Sequence, residues 1–390
     1  MRNESDVRCR QEALTGANRT FRVAAVGDMM FDRSLRPPRV IFHRPASMSN
    51  RLYGATDGVE TFVNDVGTAT WLSAHGLAIQ DALVTAHATS SIPAPRSRTT
   101  MSSSPFDRIR RKLQEADFAF GNLECPLSDR GRPTRNEACY VASPAMAGCL
   151  ADAGFKVLLF SNNHCLDFGD VAFEDTLAHL RRLGVKAVGA GRNLESARRP
   201  VVVRAGGLRA AFLAYNHVGP ETVYAVDGEC GVVPLNQYLL QEDLARARSE
   251  ADVVLVSMHW GIEGSPVPTS FQRRFAHLAI DSGADGILGH HTHVFGAVEV
   301  YRGRPILYSL GNFVFGHTHH NWSPGLLAFL SIERSGISDI QLLPIGPDPY
   351  YPAQLDAAGG RNVLKMIQRL SADLGAEIAV SGQEGTLKLR

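Results

Sequence analysis

The chain has 390 residues, 44% of them hydrophobic and 20% charged, with a formal net charge of +1. That length and composition suit a globular protein with a sizeable core, in one large domain or two smaller ones. The near-zero charge argues against a dedicated nucleic-acid binder, and no apolar run approaches the roughly 20 residues that a membrane helix needs.

Residues 1–20 are polar, lack the apolar stretch of a secretory signal and read as an N-terminal tail, so the expected location is cytoplasmic. From Phe21 onward apolar strands alternate with amphipathic helices. Strands are expected over 21–26, 117–120, 156–160, 185–188, 200–203, 208–214, 253–256, 286–288, 297–300 and 305–309. Helices are expected over 106–115, 144–153, 170–183, 239–249, 269–282 and 362–374. The alternation implies βαβ units, while Gly206-Gly207 and Arg302-Gly303 between closely spaced strands predict hairpins. The fold class is therefore α/β with a mixed sheet or two packed sheets. Residues 36–105 interrupt the rhythm: 59–88 has helix-like spacing, and a Ser/Pro/Arg/Thr-rich stretch follows. They are expected to form a helical insertion in a domain spanning 21–345, acting as a lid or substrate-selecting wall. Residues 346–390 read as a C-terminal extension packed on the core.

Polar clusters stand just after five of these strands: Gly27-Asp28, Gly121-Asn122-Leu123-Glu124, Asn162-Asn163-His164, His259-Trp260-Gly261 and His290-His291-Thr292-His293. Loops at the carboxyl ends of α/β strands converge on one crevice. Asp28 alone would read as a helix cap, and Glu124 alone as the partner of an arginine. Five such clusters in one order along the chain instead point to a metal site. Eight of the 14 histidines fall between His259 and His320, so they are not scattered. The lone histidines His43, His75, His87, His179 and His277 are read as surface or satisfied core residues. Carboxylate, amide and imidazole donors suit one or two Mn, Fe, Zn or Mg ions open to water, which such ions acidify from a pKa of about 15.7 toward about 7. His164 is the candidate general acid and Asp167, three residues on, its orienting partner. Among the six cysteines there is no CxxC pair; all are read as free thiols, with Cys125 and Cys165 as packing residues.

The clusters Gly-Asp-x-Met, Gly-Asn-Leu-Glu, Asn-Asn-His-x-Leu-Asp-x-Gly, His-Trp-Gly-x-Glu, Gly-His-His-x-His and Tyr-Ser-Leu-Gly-Asn-Phe-Val-Phe span Gly27 to Phe315. Together they resemble the CapA-like family of poly-γ-glutamate capsule synthesis proteins, a branch of the calcineurin-like metallophosphoesterases. The resemblance implies a four-layer αββα sandwich. It gives Glu124 a bridging role, sets Asn163, His259 and His291 on one metal and Asp28 with His293 on the other, and makes His164 the catalytic acid. It also singles out Arg33, the first of a run that continues with Arg36, Arg39, Arg44 and Arg51. Met30 stands where the wider superfamily has a histidine ligand, so Glu263 and His290 are further candidate donors. Gly316-His317-Thr318-His319 repeats the superfamily spelling but trails into a polar loop; His317, His319 and Asn312 are read as substrate-facing. The expected function is metal-dependent hydrolysis of a phosphoester or γ-glutamyl amide in an anionic small-molecule or peptide substrate. The alternative is a non-catalytic capsule-assembly partner with a structural metal.

Overall fold

The computed structural model describes residues 20–31, 104–135, 139–315, 323–346 and 351–389. In chain order it contains β1 (Thr20–Met30), α1 (Arg110–Leu113), β2 (Phe118–Leu123), α2 (Met146–Asp152), β3 (Phe155–Leu159), α3 (Gly169–Arg182), β4 (Lys186–Val188), β5 (Ala190–Gly191) and α4 (Leu194–Ala197). There follow β6 (Val201–Ala205), β7 (Leu208–Asn216), β8 (Gly231–Val232), α5 (Gln237–Glu250), β9 (Val253–His259), α6 (Ser270–Asp281), β10 (Gly286–His290), β11 (Val298–Tyr301) and β12 (Arg304–Leu307). The rest comprises β13 (Asn312–Phe315), β14 (Gly325–Glu333), β15 (Gly336–Ile345), α7 (Ala357–Leu370), β16 (Ile378–Ser381) and β17 (Glu384–Lys388).

The expected layer order is borne out. One sheet runs β16-β17-β15-β14-β1-β2-β3-β4, with β13 also on β1; the other runs β11-β12-β10-β9-β7-β6. Both are mixed: β1, β2, β3 and β4 are parallel, as are β7, β9, β10 and β12, whereas β14 and β15 run antiparallel. Period-2 alternation sorts the apolar residues by face. Phe21, Val23 and Ala25 of β1 with Phe118 and Phe120 of β2 point at the second sheet, where Phe120 stacks on Phe212 with centroids 5.4 Å apart. Ala24, Val26 and Ala119 point outward, into a separate core covered by Leu113 of α1, Leu150 of α2 and Phe173 and Leu180 of α3. Leu240 and Leu244 of α5 and Phe275, Ala276 and Ala279 of α6 cover the smaller sheet.

Local chemistry explains the helix starts. Asn236 accepts from the backbone N–H groups of Tyr238 and Leu239, and Thr269 with Gln272 forms a reciprocal capping box. The two predicted hairpins are present, β6–β7 and β11–β12. Their turn residues Gly206, Gly207, Arg302 and Gly303 all have positive φ, as a two-residue turn matched to strand twist requires. At the C-terminal end, β17 pairs with β15, and α7 sends Val363, Leu364 and Ile367 into the core between the sheets. No described helix is long and apolar enough to cross a membrane. Of the 36–105 insertion, all but residues 104 and 105 lie outside the described residues.

Gly27 matters for the site because it lets β1 approach its neighbour. A Cβ there would sit 1.8 Å from the Gly311 carbonyl oxygen, which accepts the Asp28 N–H at 2.8 Å. Gly27→Ala is expected to force the two segments apart and cost about 1–3 kcal/mol or more. A drop in the urea midpoint with unchanged slope would show it; an unchanged midpoint would mean the strands relax freely.

Candidate metal centre

Asp28 is near the carboxyl end of β1, Glu124 is the residue after β2, and Asn163 and His164 follow β3. His259 and His290 are the last residues of β9 and β10 and lie opposite one another in the register. Because these strands are parallel within each sheet, their carboxyl ends open at one edge. Asp28, Glu124, His259 and His290 are all fully buried there. Burying that many polar groups is costly unless each has a partner.

The expected donors come together. Asp28, Glu124 and His259 offer ligand atoms within 4.8 Å of one another, and so do Glu124, His291 and His293. Glu124 is common to both triads. Its Oε1 lies 3.6 Å from His259 Nε2 and 3.7 Å from His293 Nε2, yet it is buried with no hydrogen-bond partner. His291 Nδ1 is likewise buried and unpartnered. A carboxylate oxygen and an imidazole nitrogen aimed into the same space without protein partners are what a divalent cation satisfies, so the residues fit such an ion. Asn163 Oδ1 sits 2.9 Å from His259 Nε2 at the edge of this group.

Charges in the cluster are set by burial and by one another. Burial pushes Glu124 well above the usual carboxylate range, and the neighbouring Asp28 charge adds to that. Burial opposes Asp28's charge too, but the imidazoles of His290 and His293 outweigh it and hold that carboxyl well below its usual range. Burial, reinforced by His291, keeps His259 far below its ordinary value; burial with the nearby His293 charge pushes His291 down to about 3. His293 goes the other way: although burial opposes its charge, Glu124 and Asp28 raise it to about 10. Two histidines are thus neutral, while the Glu124–His293 pair holds a proton that a cation must displace.

His291 and His293 both have positive φ, 91° and 58°. Non-glycine residues held there cost on the order of 1–3 kcal/mol each, strain that persists where surrounding structure enforces it. The backbone N–H of His291 donates to Asp28 Oδ2 at 3.2 Å, and Asn312 Oδ1 contacts His293 Nδ1 at 3.0 Å.

Beside the donors stands the acid candidate. His164 Nδ1 lies 2.8 Å from Asp167 Oδ2, which also accepts the Tyr140 backbone N–H at 2.8 Å. Arg135 pairs with the other oxygen of Asp167. The contact with Asp167 places a proton on His164 Nδ1 and turns Nε2 away from Asp167.

Other predicted residues fall elsewhere. Glu263 is exposed on the loop after β9 and belongs to neither triad. His290 is fully buried; its Nδ1 is 3.2 Å from Asp28 Oδ1 but out of line for a hydrogen bond. Trp260 packs, donating its indole N–H to the Tyr308 carbonyl. Cys125 and Cys165 are buried and in no disulfide, as expected of packing residues. His277 is satisfied by Glu299 at 2.8 Å and stacks on Tyr301. Arg33, His317, His319 and His320 lie outside the described residues.

Three contributors were missing from the sequence expectation. Asn122 and Asn162 form a buried amide pair behind the donors, and Arg135 braces Asp167. Asn122 and Asn162 were visible as members of their clusters. Arg135, in a polar stretch without periodicity, gave no signal.

Comparison with known proteins places these features in context. The family described as "Bacterial capsule synthesis protein PGA_cap" matches residues 22–317. "PGA biosynthesis protein CapA" of Bacillus subtilis is 30% identical over 251 residues, 64% of this chain and 66% of that protein. The chain thus spans just under two thirds of that relative. "Capsule biosynthesis protein CapA" of Bacillus anthracis is 27% identical, covering 73% of this chain and 71% of that one. Among solved structures, a 5'-nucleotidase precursor from Thermus thermophilus aligns with a TM-score of 0.40 at 13% identity, over 67% of this chain and 52% of that chain.

Proposed function

The chain belongs to the bacterial capsule synthesis family PGA_cap, and on that premise we propose that it is a metal-dependent hydrolase. The observation that carries the reading is the pair of buried ligand triads sharing Glu124, with the His164–Asp167 pair beside them. A bound divalent ion would act as a Lewis acid and lower the pKa of water toward about 7.

The chain's own residues supply the rest. Hydrolysis joins a water oxygen to phosphorus or carbonyl carbon, breaks the bond to the leaving oxygen or nitrogen, and requires a proton on that leaving atom. We assign the proton to Nε2 of protonated His164, since Nδ1 is engaged by Asp167. Asp28, Glu124, Asn163, His259, His291 and His293 would hold the ion. The substrate class is a γ-glutamyl amide or a phosphoester in an anionic small molecule or peptide; the capsule family favours the amide, and the motif resemblance to metallophosphoesterases keeps the phosphoester.

Elemental analysis of chelator-rinsed and then metal-reloaded protein tests this, beside a His291→Ala/His293→Ala double variant. About one or two equivalents of Mn, Fe or Zn in the parent and none in the variant are expected, followed by turnover of one substrate class in a paired screen. A parent that takes up no metal would defeat the reading and favour a non-catalytic assembly partner.

A further inference from the structure

Behind the metal donors, one amide touches three of them. Asn122 Nδ2 lies 2.9 Å from Asp28 Oδ1, 3.2 Å from Glu124 Oε2 and 3.3 Å from His259 Nδ1. Asn122 is itself fully buried. Which end of its amide faces the donors is fixed from the rear. Asn162 donates its Nδ2 to Asn122 Oδ1 at 3.0 Å and to the Leu123 carbonyl at 2.8 Å, and its Oδ1 accepts the His164 backbone N–H at 3.1 Å. A backbone acceptor and a backbone donor define the two ends of Asn162. Asn122 must therefore turn its oxygen to Asn162 and its NH2 to the carboxylates.

The two carboxylates consequently have two faces each. Asp28 Oδ1 and Glu124 Oε2 are the rear atoms, taken by the two hydrogens of the Asn122 amide, while the His259 ring lies against the same amide with Nδ1 3.3 Å away. The front atoms meet the remaining candidates. Asp28 Oδ2 lies 3.4 Å from His293 Nδ1, Glu124 Oε1 lies 3.7 Å from His293 Nε2, and His259 Nε2 lies 2.9 Å from Asn163 Oδ1. Glu124 Oε1, the front oxygen shared by both triads, is the one without a hydrogen-bond partner. An amide suits the rear position because it donates two hydrogens without adding a third anion beside two buried carboxylates.

We propose that Asn122 is the positioning residue of the metal centre. Its amide locks the rear atoms of Asp28 and Glu124 so that their front atoms converge on a cation, and Asn162 locks Asn122. This rests on the metal-site part of the reading above and not on hydrolysis. Outer partners of this kind orient ligands before the metal arrives, and losing one typically weakens affinity roughly 10–100-fold.

The test uses the full chain as Asn122→Ala and Asn162→Ala. Three quantities are measured: Zn2+ affinity by chelator competition, the visible bands of the Co2+-loaded protein, and the melting temperature in chelator. Asn122→Ala is expected to weaken Zn2+ binding roughly 10–100-fold and to shift the Co2+ bands, a change that loss of stability alone does not produce. Asn162→Ala, which keeps all three donors and Asn122 itself, should move both readouts the same way by less. Unchanged affinity and Co2+ bands in Asn122→Ala overturn the proposal. If that variant does not fold, unchanged values in Asn162→Ala overturn it instead. A parent chain that binds neither ion sinks the metal centre itself, a different and separately visible failure.

Discussion

His164→Ala is expected to lose roughly 10²–10⁴-fold in turnover while keeping its metal and its fold. The reason is the way Asp167 is held. Removing the imidazole leaves Asp167 with the Arg135 ion pair and the Tyr140 backbone N–H, so no buried charge is stranded. The ring belongs to neither donor triad, so metal content does not depend on it. The measurements are steady-state turnover, metal content by elemental analysis and the thermal midpoint. Full turnover in a folded, metal-loaded variant would remove His164 as the acid and leave the non-catalytic reading in front.

The second large effect concerns Glu124, and it runs in opposite directions for binding and for stability. Glu124→Gln takes an anionic donor from both triads at once, so metal binding and turnover are expected to collapse together. In chelator the same variant should be as stable as the parent or more so. The sign follows from the raised carboxyl, whose cause is burial first and the Asp28 charge second. Because the folded form holds its proton more tightly than the unfolded chain, the group costs nothing below the ordinary glutamate pKa of about 4.3. Stability is then lost progressively as pH rises from there toward the folded value. The glutamine, neutral throughout, removes that loss. Denaturant titrations in chelator across this range should show the parent falling with pH relative to the variant; parallel curves would mean Glu124 is ionised in the metal-free protein. Metal affinity of the parent should in turn rise with pH, since the Glu124–His293 pair must give up its proton to bind.

Much of the fold was legible because most strands are short apolar runs bounded by glycine or a helix start. The strands nearest the two predicted hairpins and the donor loops stood out for that reason. β14 and β15 did not. In β14, residues 325–330 are all buried, so both faces are apolar and no alternation marks the strand. The donor clusters were legible as clusters, yet their relation to the strands was not. Asp28 is inside β1, and His259 and His290 close their strands instead of following them. What sequence could not carry was the geometry around the donors. The positive φ of His291 and His293, the orphaned oxygen of Glu124 and the amide pair Asn122–Asn162 appear only when strands from both sheets meet.

The central position of β1 has a consequence for how the protein is made. Its strand neighbours include β2, but also β13 and β14 from far down the chain. The contact between Asp28 and the His291 backbone joins residues 263 positions apart. At translation speeds of about 5–20 residues per second, the first donor waits roughly 10–50 s for that partner to be synthesised. Until then β1 is an apolar strand with one side unpaired, a template for pairing with a neighbouring nascent chain. Assembly of the candidate metal centre is thus a late event in the life of the polypeptide, and the same ordering makes a stalled or prematurely terminated product prone to aggregate.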